Sequence, residues 1–275
     1  MLAPLLLAAA LAAVIAPGGL AALARSGLAR PNYRGATLPF PAGVLAVAAA
    51  VLALGPLAAL QELGGLDLLA PELETVAVYA LGVALLGLLD DVLDAEPRGW
   101  RGHGAAVLGG AFSTGAVKAA GSLGLALFAL SGAGRDAGEY LLGVAVLVLA
   151  TNLFNLLDLR PGRSVKVFGL LGLGLTLGTL DLGGLEAVGL FAGPLLVLGF
   201  HDLRERAMLG DTGSNLLGAL AGLWILLALD TTGELVALGV LAALTLYGEF
   251  RSISAIVERV APLRALDSAG RIRHG

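Results

Sequence analysis

The chain has 275 residues, of which 57% are hydrophobic and only 14% are charged, and its mean hydropathy is +0.90. A soluble domain cannot bury so much apolar surface, whereas lipid accepts apolar surface on every face of a helix. The net charge of -4 is small and gives no indication of nucleic-acid binding. The absence of cysteine excludes disulfides and thiolate metal sites. Composition therefore predicts an integral membrane protein with one membrane domain.

The chain contains nine apolar runs that approach the roughly 20 residues a helix needs to cross the hydrocarbon core. They lie near residues 2–23, 39–60, 73–90, 114–131, 139–157, 166–181, 185–200, 213–229 and 234–250. We predict an all-α fold, a polytopic membrane bundle of about nine transmembrane helices over residues 1–250. Residues 251–275 are predicted to form a tail with an amphipathic surface helix. Two small-xxx-small pairs, Gly174 with Gly178 and Gly218 with Gly222, predict close helix contacts.

Charged residues lie in the gaps between these runs or near the ends of the runs, and most of the basic ones fall in alternate gaps. The basic gaps and the tail contain Arg25, Arg30, Arg34, Arg98, Arg101, Arg160, Arg163, Lys166, Arg204, Arg206, Arg251, Arg259, Arg264, Arg271 and Arg273. The other gaps are mostly acidic, with Arg135 as the clear exception. The positive-inside rule places the basic gaps and the C-terminus in the cytoplasm. The first run has no basic residue before it, so we predict a retained span with its N-terminus outside.

The first candidate site is the pair Asp90 and Asp91 at the end of the third run, with Asp94 close behind. Adjacent carboxylates near a low-dielectric boundary repel each other unless a cation is bound. Mg²⁺ accepts one or two carboxylates and takes its other ligands from water and phosphate oxygens. The alternative is a solvated helix end that carries ordinary charges.

A short basic loop follows, in which Arg98, Trp100 and Arg101 precede His103. Such a loop is suited to a diphosphate or a lipid phosphate, and His103 is a secondary candidate for substrate binding. An interfacial tryptophan with basic neighbours that anchors the loop to the membrane surface is the alternative.

Polar residues also close the fifth run. Asn152 and Asn155 lie three residues apart and therefore share a helix face, and Asp158 continues that row. Buried amides in a membrane helix need partners, which are either a neighbouring helix or a polar ligand. Both interpretations remain open from the residues alone.

The eighth run begins with Gly210-Asp211-Thr212-Gly213-Ser214-Asn215. Glycines around an acid at a helix start let backbone N–H groups face an anion, while Asp211 can hold the metal that screens it. The alternative is simple N-capping by Asp211 or Thr212. His201 lies shortly before this motif and is a further secondary candidate.

Taken in order, these motifs resemble one superfamily. Arg30-Pro-Asn32-Tyr-Arg34-Gly, Gly-Leu-Leu-Asp90-Asp91, Asn152-x-x-Asn155-Leu-x-Asp158 and Gly210-Asp211-Thr-Gly-Ser214 are similar to motifs of the polyprenyl-phosphate N-acetylhexosamine-1-phosphate transferases. These include the phospho-N-acetylmuramoyl-pentapeptide transferases of cell-wall biogenesis and the GlcNAc-1-phosphate transferases. The resemblance covers roughly residues 25–250.

The resemblance implies an Mg²⁺-dependent enzyme of the plasma membrane with its active site on the cytoplasmic side. It would transfer a sugar-1-phosphate from a UDP-sugar to a polyprenyl phosphate, and members of the family often form homodimers. By position, Asp91 and Asp211 would face the metal, and Asp90 would act at the acceptor phosphate. The implied substrate-binding residues are Asn32, Arg34, Lys118, Asn152, Asn155 and Asp158. For Lys118, a lysine that reaches the membrane surface without contacting substrate is the alternative.

Three departures accompany the resemblance. Pro161 and Met208 stand where the family has an aspartate and an aromatic residue that contact the nucleobase, and the family's cytoplasmic histidine cluster is absent. We therefore predict weak discrimination between nucleobases. Two further functions remain open: an intramembrane prenyltransferase that binds prenyl diphosphate through Asp90, Asp91 and Asp94, and a non-catalytic relative that binds a polyprenyl lipid.

Overall fold

The computed structural model describes residues 2–93 and 113–272, and these form a bundle of α-helices with one small hairpin. The helices are α1 (Ala3–Arg25), α2 (Gly43–Gly64), α3 (Leu73–Leu93), α4 (Thr114–Ala129), α5 (Ala137–Leu157), α6 (Arg163–Thr179), α7 (Gly183–Leu203), α8 (Gly210–Ala228), α9 (Thr231–Phe250), α10 (Ile253–Arg259) and α11 (Ala261–Ser268). The strands are β1 (Ala29–Pro31) and β2 (Thr37–Pro39).

Each of the nine apolar runs coincides with one helix from α1 to α9, which confirms the all-α class. Seven of these helices are long and apolar enough to cross a membrane, so the chain is a multi-pass membrane protein. The two others are α4, a shorter apolar helix, and α6, with 16 and 17 residues. At 1.5 Å per residue they are about 24–26 Å long, slightly less than the hydrocarbon thickness. The count of nine crossings and the orientation stay predictions.

Helix α8 forms the centre of the bundle. It is buried along nearly its whole length, from Gly210 to Leu226, and it packs against α2, α3, α5, α6 and α7. Around it, α1 packs on α2 and α7, α4 packs on α3 and α5, and α9 packs on α5. Any polar group at the start of α8 is therefore surrounded by several helices.

The basic gaps that the structure describes, those with Arg30, Arg160 and Arg204, meet at one end of the bundle, which we call the basic end. There, β1 and β2 pair antiparallel with Arg30 opposite Leu38. The hairpin is fixed to the segment before α8, because Met208 donates its backbone N–H to the carbonyl of Pro39 at 3.0 Å and accepts from the N–H of Ala42 at 2.8 Å. The first and the last polar motif of the chain are thereby joined.

The two small-xxx-small pairs behave differently. A Cβ on Gly218 would lie 2.6 Å from the Thr151 Cα, and one on Gly222 would lie 3.1 Å from a Leu147 methyl carbon, so α8 and α5 touch through their backbones. Around Gly174 and Gly178, by contrast, a Cβ would meet nothing within 4 Å. The predicted close contact at this second pair is wrong among the described residues, because these glycines lie on a face of α6 that none of the described helices covers.

The tail forms two short helices in place of the single predicted one, because Pro262 begins the second of them. It folds back onto the start of α6. Arg163 donates to both carboxylate oxygens of Asp267 at 2.8 and 3.2 Å, and Lys166 donates to the backbone carbonyls of Leu266 and Asp267. The tail is thus attached to the basic end by ion pairs and hydrogen bonds.

Candidate active site at the basic end

The paired aspartates of α3 contact different partners, and Asp91 caps helix α8. It accepts hydrogen bonds from the backbone N–H groups of Asp211 and Thr212, each at 2.8 Å, and from the Thr212 hydroxyl at 2.6 Å. The N–H groups of a first helical turn have no acceptor within their own helix, and Leu209 at the N-cap position supplies none. A carboxylate is also favoured at the positive end of the helix dipole. The capping group of α8 therefore comes from a neighbouring helix.

This contact depends on Gly87, one turn before Asp91. A Cβ at Gly87 would lie 2.5 Å from the carbonyl oxygen of Asp211 and 2.8 Å from the Thr212 Cα. Any side chain here would push α3 away from α8. The glycine of the Gly-Leu-Leu-Asp-Asp motif is needed for close packing, and it brings the two acids that follow to the start of α8.

Asp90 belongs to a polar cluster between four helices. Lys118 Nζ of α4 donates to Asp90 Oδ2 at 2.8 Å and to Asp211 Oδ2 at 2.5 Å. Asn155 Nδ2 of α5 donates to the same Asp211 oxygen at 3.0 Å. We call Asp90, Lys118, Asn155 and Asp211 the Lys118 cluster. Its two carboxyl groups face one ammonium group, so the cluster has one acidic group more than it has cations.

A cavity of about 510 Å³ lies beside this cluster at the basic end. Asp211 lines it, together with Asp158 and Asp202. The sequence motifs at the ends of α5 and at the start of α8 thus border one space. The cavity offers room for a polar ligand next to the Lys118 cluster.

Asp158 follows the last residue of α5 and accepts a hydrogen bond from Ser164 Oγ at 2.8 Å. Burial raises the pKa of Asp158 well above its usual range, the charge of Asp202 raises it further, and the Ser164 bond opposes both. A carboxyl group in this position is stabilised by any ligand that brings a cation or a hydrogen-bond donor.

Asp202 is a site residue that the sequence analysis did not single out. Its side chain is only 5% exposed. Its Oδ2 accepts from the backbone N–H of Gly162 at 2.6 Å and its Oδ1 from that of Leu209 at 3.4 Å. It therefore joins the turn after α5 to the segment before α8. An acid at the end of a predicted span, next to the candidate His201, was the signal available for it.

Another part of the cavity wall is aromatic and cationic. Tyr33, Phe40 and Arg160 line it. The Arg160 guanidinium carbon lies 4.4 Å from the centroid of the Tyr33 ring. Arg34 does not line the cavity, but its Nε donates to the Tyr33 hydroxyl at 2.7 Å. The wall thus combines a positive charge with flat side chains.

Asn32, which the resemblance implies as a substrate-binding residue, is buried and lines the cavity. Its Oδ1 accepts from the backbone N–H groups of Arg34 and Ala36 at 2.9 and 3.0 Å, and its Nδ2 donates to Glu205 Oε2 at 3.2 Å. These bonds fix the loop between the two strands, so Asn32 also has a structural role.

The structure does not bring Asn152 and His201 to this cavity. Asn152 is exposed on α5, one turn before Asn155. His201 lies against Leu5 in a separate cavity that is mostly apolar. Successive residues of a helix point roughly 100° apart, so the rotation of α7 that directs Asp202 inward directs His201 outward. His103, Arg98, Arg101 and Asp94 lie outside the described residues.

The donor set is suited to a magnesium ion that arrives with phosphate ligands. Within residues 2–93 and 113–272, no three acidic or histidine side chains are grouped so as to hold a metal by themselves. Asp90 and Asp211 nevertheless converge on one point, the Lys118 ammonium, and Mg²⁺ needs only one or two carboxylates. Asp91 accepts a hydrogen bond from the backbone N–H of Asp211. It is therefore Asp90 that shares a cation, the Lys118 ammonium, with the Asp211 carboxylate.

Comparison with models of known protein families gives no match, and comparison with curated proteins gives none either. The resemblance described above rests on the motifs alone, and the function that it implies is a proposal.

Proposed function

We propose that the protein transfers a sugar-1-phosphate from a nucleotide-sugar, a UDP-sugar by the resemblance, to a polyprenyl phosphate. The observation that carries this proposal is the Lys118 cluster, which lies between four helices and borders a cavity lined by further acids. Phosphoryl transfer requires mainly positioning and charge neutralisation. The Lys118 ammonium and the two carboxyl groups beside it would supply positioning and charge neutralisation once Mg²⁺ and the substrate phosphates bind there. By the positive-inside rule, the basic end would face the cytoplasm.

In this reaction an oxygen of the acceptor phosphate forms a bond to the phosphorus that carries the sugar, and the bond from that phosphorus to the nucleoside monophosphate breaks. Asp90 and Asp211 would hold Mg²⁺, which would neutralise the negative charge of the phosphates. Lys118 is placed to donate to a phosphate oxygen, and Asn155 holds the Asp211 carboxylate in position. Asp91 keeps the start of α8, and with it Asp211, at a fixed place. Asp158 would meet the donor in the cavity.

An apolar cavity supports a lipid acceptor. It has a volume of about 450 Å³ and lies between α5, α6, α8 and α9, with Phe154, Leu171 and Val240 among its lining residues. Its wall is almost entirely hydrocarbon, which suits an isoprenoid chain. Because it borders α5 and α8, it lies along the helices that carry Asn155 and Asp211.

The test is to incubate the purified protein with polyprenyl phosphate, Mg²⁺ and a panel of UDP-, CDP- and GDP-sugars, and to measure released nucleoside monophosphate. Release that requires the lipid phosphate is expected, and Asp211→Asn should abolish most of it. Binding of polyprenyl phosphate without any release would favour the non-catalytic relative. Consumption of a prenyl diphosphate would favour the prenyltransferase. Either result would contradict the proposal.

A further inference from the structure

The cavity wall contains flat side chains at positions that the family resemblance does not assign to the nucleobase. Pro161 and Met208, where base contacts were expected, do line the cavity, but neither provides a ring for stacking or a side-chain hydrogen bond from an acid. Tyr33, whose side chain is 42% exposed, lines the same space. Building on the proposed function, we propose that Tyr33 and Arg160 form the surface on which the nucleobase of the donor stacks.

The geometry of the pair suits a planar ligand. The guanidinium carbon of Arg160 lies 4.4 Å from the Tyr33 ring centroid, so Arg160 already stacks on this ring, and the guanidinium carbon of Arg34 lies 5.2 Å from the same centroid. A base would extend this stack on the side of the Arg160 guanidinium that faces away from Tyr33. Aromatic rings and guanidinium planes are the two side-chain surfaces on which proteins stack single bases. The positive charge of Arg160 also attracts the diphosphate that is attached to the base.

Both side chains are held in place by the rest of the molecule. Arg34 donates to the Tyr33 hydroxyl at 2.7 Å, and Asn32 fixes the loop next to it through two backbone hydrogen bonds. Arg160 donates to Glu258 Oε1 of the tail at 3.2 Å. A surface that is ordered before the ligand arrives loses less entropy on binding.

The proposal predicts how the protein discriminates between donors. Every base has a flat π face, so stacking tolerates different bases, whereas hydrogen bonds to base edges select one. The nucleoside diphosphates UDP, CDP and GDP should therefore bind with affinities within about tenfold of one another.

The experiment measures binding of UDP, CDP, GDP and inorganic pyrophosphate to the full-length protein in detergent with Mg²⁺. Tyr33→Leu should weaken binding of each nucleoside diphosphate by roughly 10- to 100-fold and leave pyrophosphate binding unchanged. Tyr33→Phe should recover most of the lost affinity, because the ring is retained. The matched control is Tyr247→Leu, an equal change at an exposed tyrosine of α9 that does not line the cavity.

The outcomes separate the two proposals. If the wild type binds nucleoside diphosphates and Tyr33→Leu binds them equally well, the stacking surface is wrong and the proposed function stands. An equal loss for pyrophosphate and for UDP would also overturn it, because the lost contact would not be to the base. If the folded wild type binds none of the three nucleoside diphosphates, the proposed function is overturned, and the stacking surface with it.

Discussion

The two ends of the bundle each hold a cation against carboxylates from other helices, but the balance of charge differs. At the end opposite the basic end, Arg135 donates to both oxygens of Glu234, at 2.9 and 2.8 Å. This is one cation for one carboxylate in a bidentate arrangement, which is the geometry of a stable structural pair. In the Lys118 cluster one ammonium faces two carboxylates, and Asp158 and Asp202 lie nearby in the cavity wall.

This difference in charge balance distinguishes a structural ion pair from a candidate binding site. Charged groups inside a membrane protein are costly unless they are paired. The Arg135 pair is complete without any ligand, so it stabilises the bundle. The Lys118 cluster has one acidic group more than it has cations and lies next to an open cavity, and a cation with its phosphate ligands would complete it. By the proposed function, the same types of side chain would serve stability at one end and binding at the other.

The largest expected effect is on activity, from Asp211→Asn in the Lys118 cluster. We expect the rate of sugar-phosphate transfer to fall by roughly 10²- to 10³-fold, because one of the charges that position the phosphates is lost. Thermal stability should not fall, because the change reduces the excess of negative charge. The control is Asp230→Asn at the other end of the bundle. Asp230 caps α9, and asparagine is an equally good N-cap residue, so this variant keeps the cap. A loss of activity in the control equal to that in Asp211→Asn would contradict the comparison.

The second effect is on stability, from Glu234→Gln. It leaves Arg135 without its charged partner, and breaking a buried pair costs about 3–5 kcal/mol. We expect a value near the lower limit of about 3 kcal/mol, because the Arg135 side chain is 20% exposed. A thermal unfolding curve measures the loss, and turnover per folded molecule should stay the same. Glu72→Gln, at an exposed residue of the same end, should change neither quantity.

A smaller effect with the opposite sign is expected from Asp158→Asn. Burial and nearby negative charge raise the pKa of Asp158 in the folded protein, so the charged form destabilises the fold. The penalty is absent below the unfolded pKa of about 4 and grows as pH rises through the folded pKa. The variant should therefore gain roughly 0.5–2 kcal/mol at neutral pH and lose donor affinity. Melting temperatures across pH 4–8 would test this, and a gain that did not grow with pH would exclude the electrostatic cause.

The smallest effect concerns the tail. Burial acts to raise the pKa of Asp267, but hydrogen bonds and charge from Arg163 and Arg271 outweigh it and hold the pKa below the usual range. This contribution is present above the unfolded pKa of about 4 and is lost as pH falls through the folded value. Protease cleavage of the tail should therefore accelerate only in acid, and Asp267→Asn should be cleaved faster already at neutral pH. The exposed Glu249 provides a control, as Glu249→Gln should be cleaved at the wild-type rate.

The sequence predicted the helices well because apolar length is the dominant signal in a membrane protein. The third run was predicted to end at residue 90, but α3 continues to Leu93, so Asp90 and Asp91 lie in its last turn. That Asp90 and Asp91 belong to one site with Asn155 and Asp211 was implied by the family resemblance. The different partners of Asp90 and Asp91 were not, because they depend on the rotation of α3 against α8. In the same way, the rotation of α7 about its axis determines that Asp202 and not His201 lines the cavity at the basic end.

The contact between α5 and α8 at Gly218 has a consequence for a protein that lies in lipid. Thr151, which meets Gly218, lies one turn before Asn155, and Gly218 lies two turns after Asp211. Because the two helix backbones touch there, backbone packing sets the separation of α5 from α8 close to Asn155 and Asp211. We therefore expect the separation of α5 from α8 at the site to stay the same when the thickness of the surrounding bilayer changes.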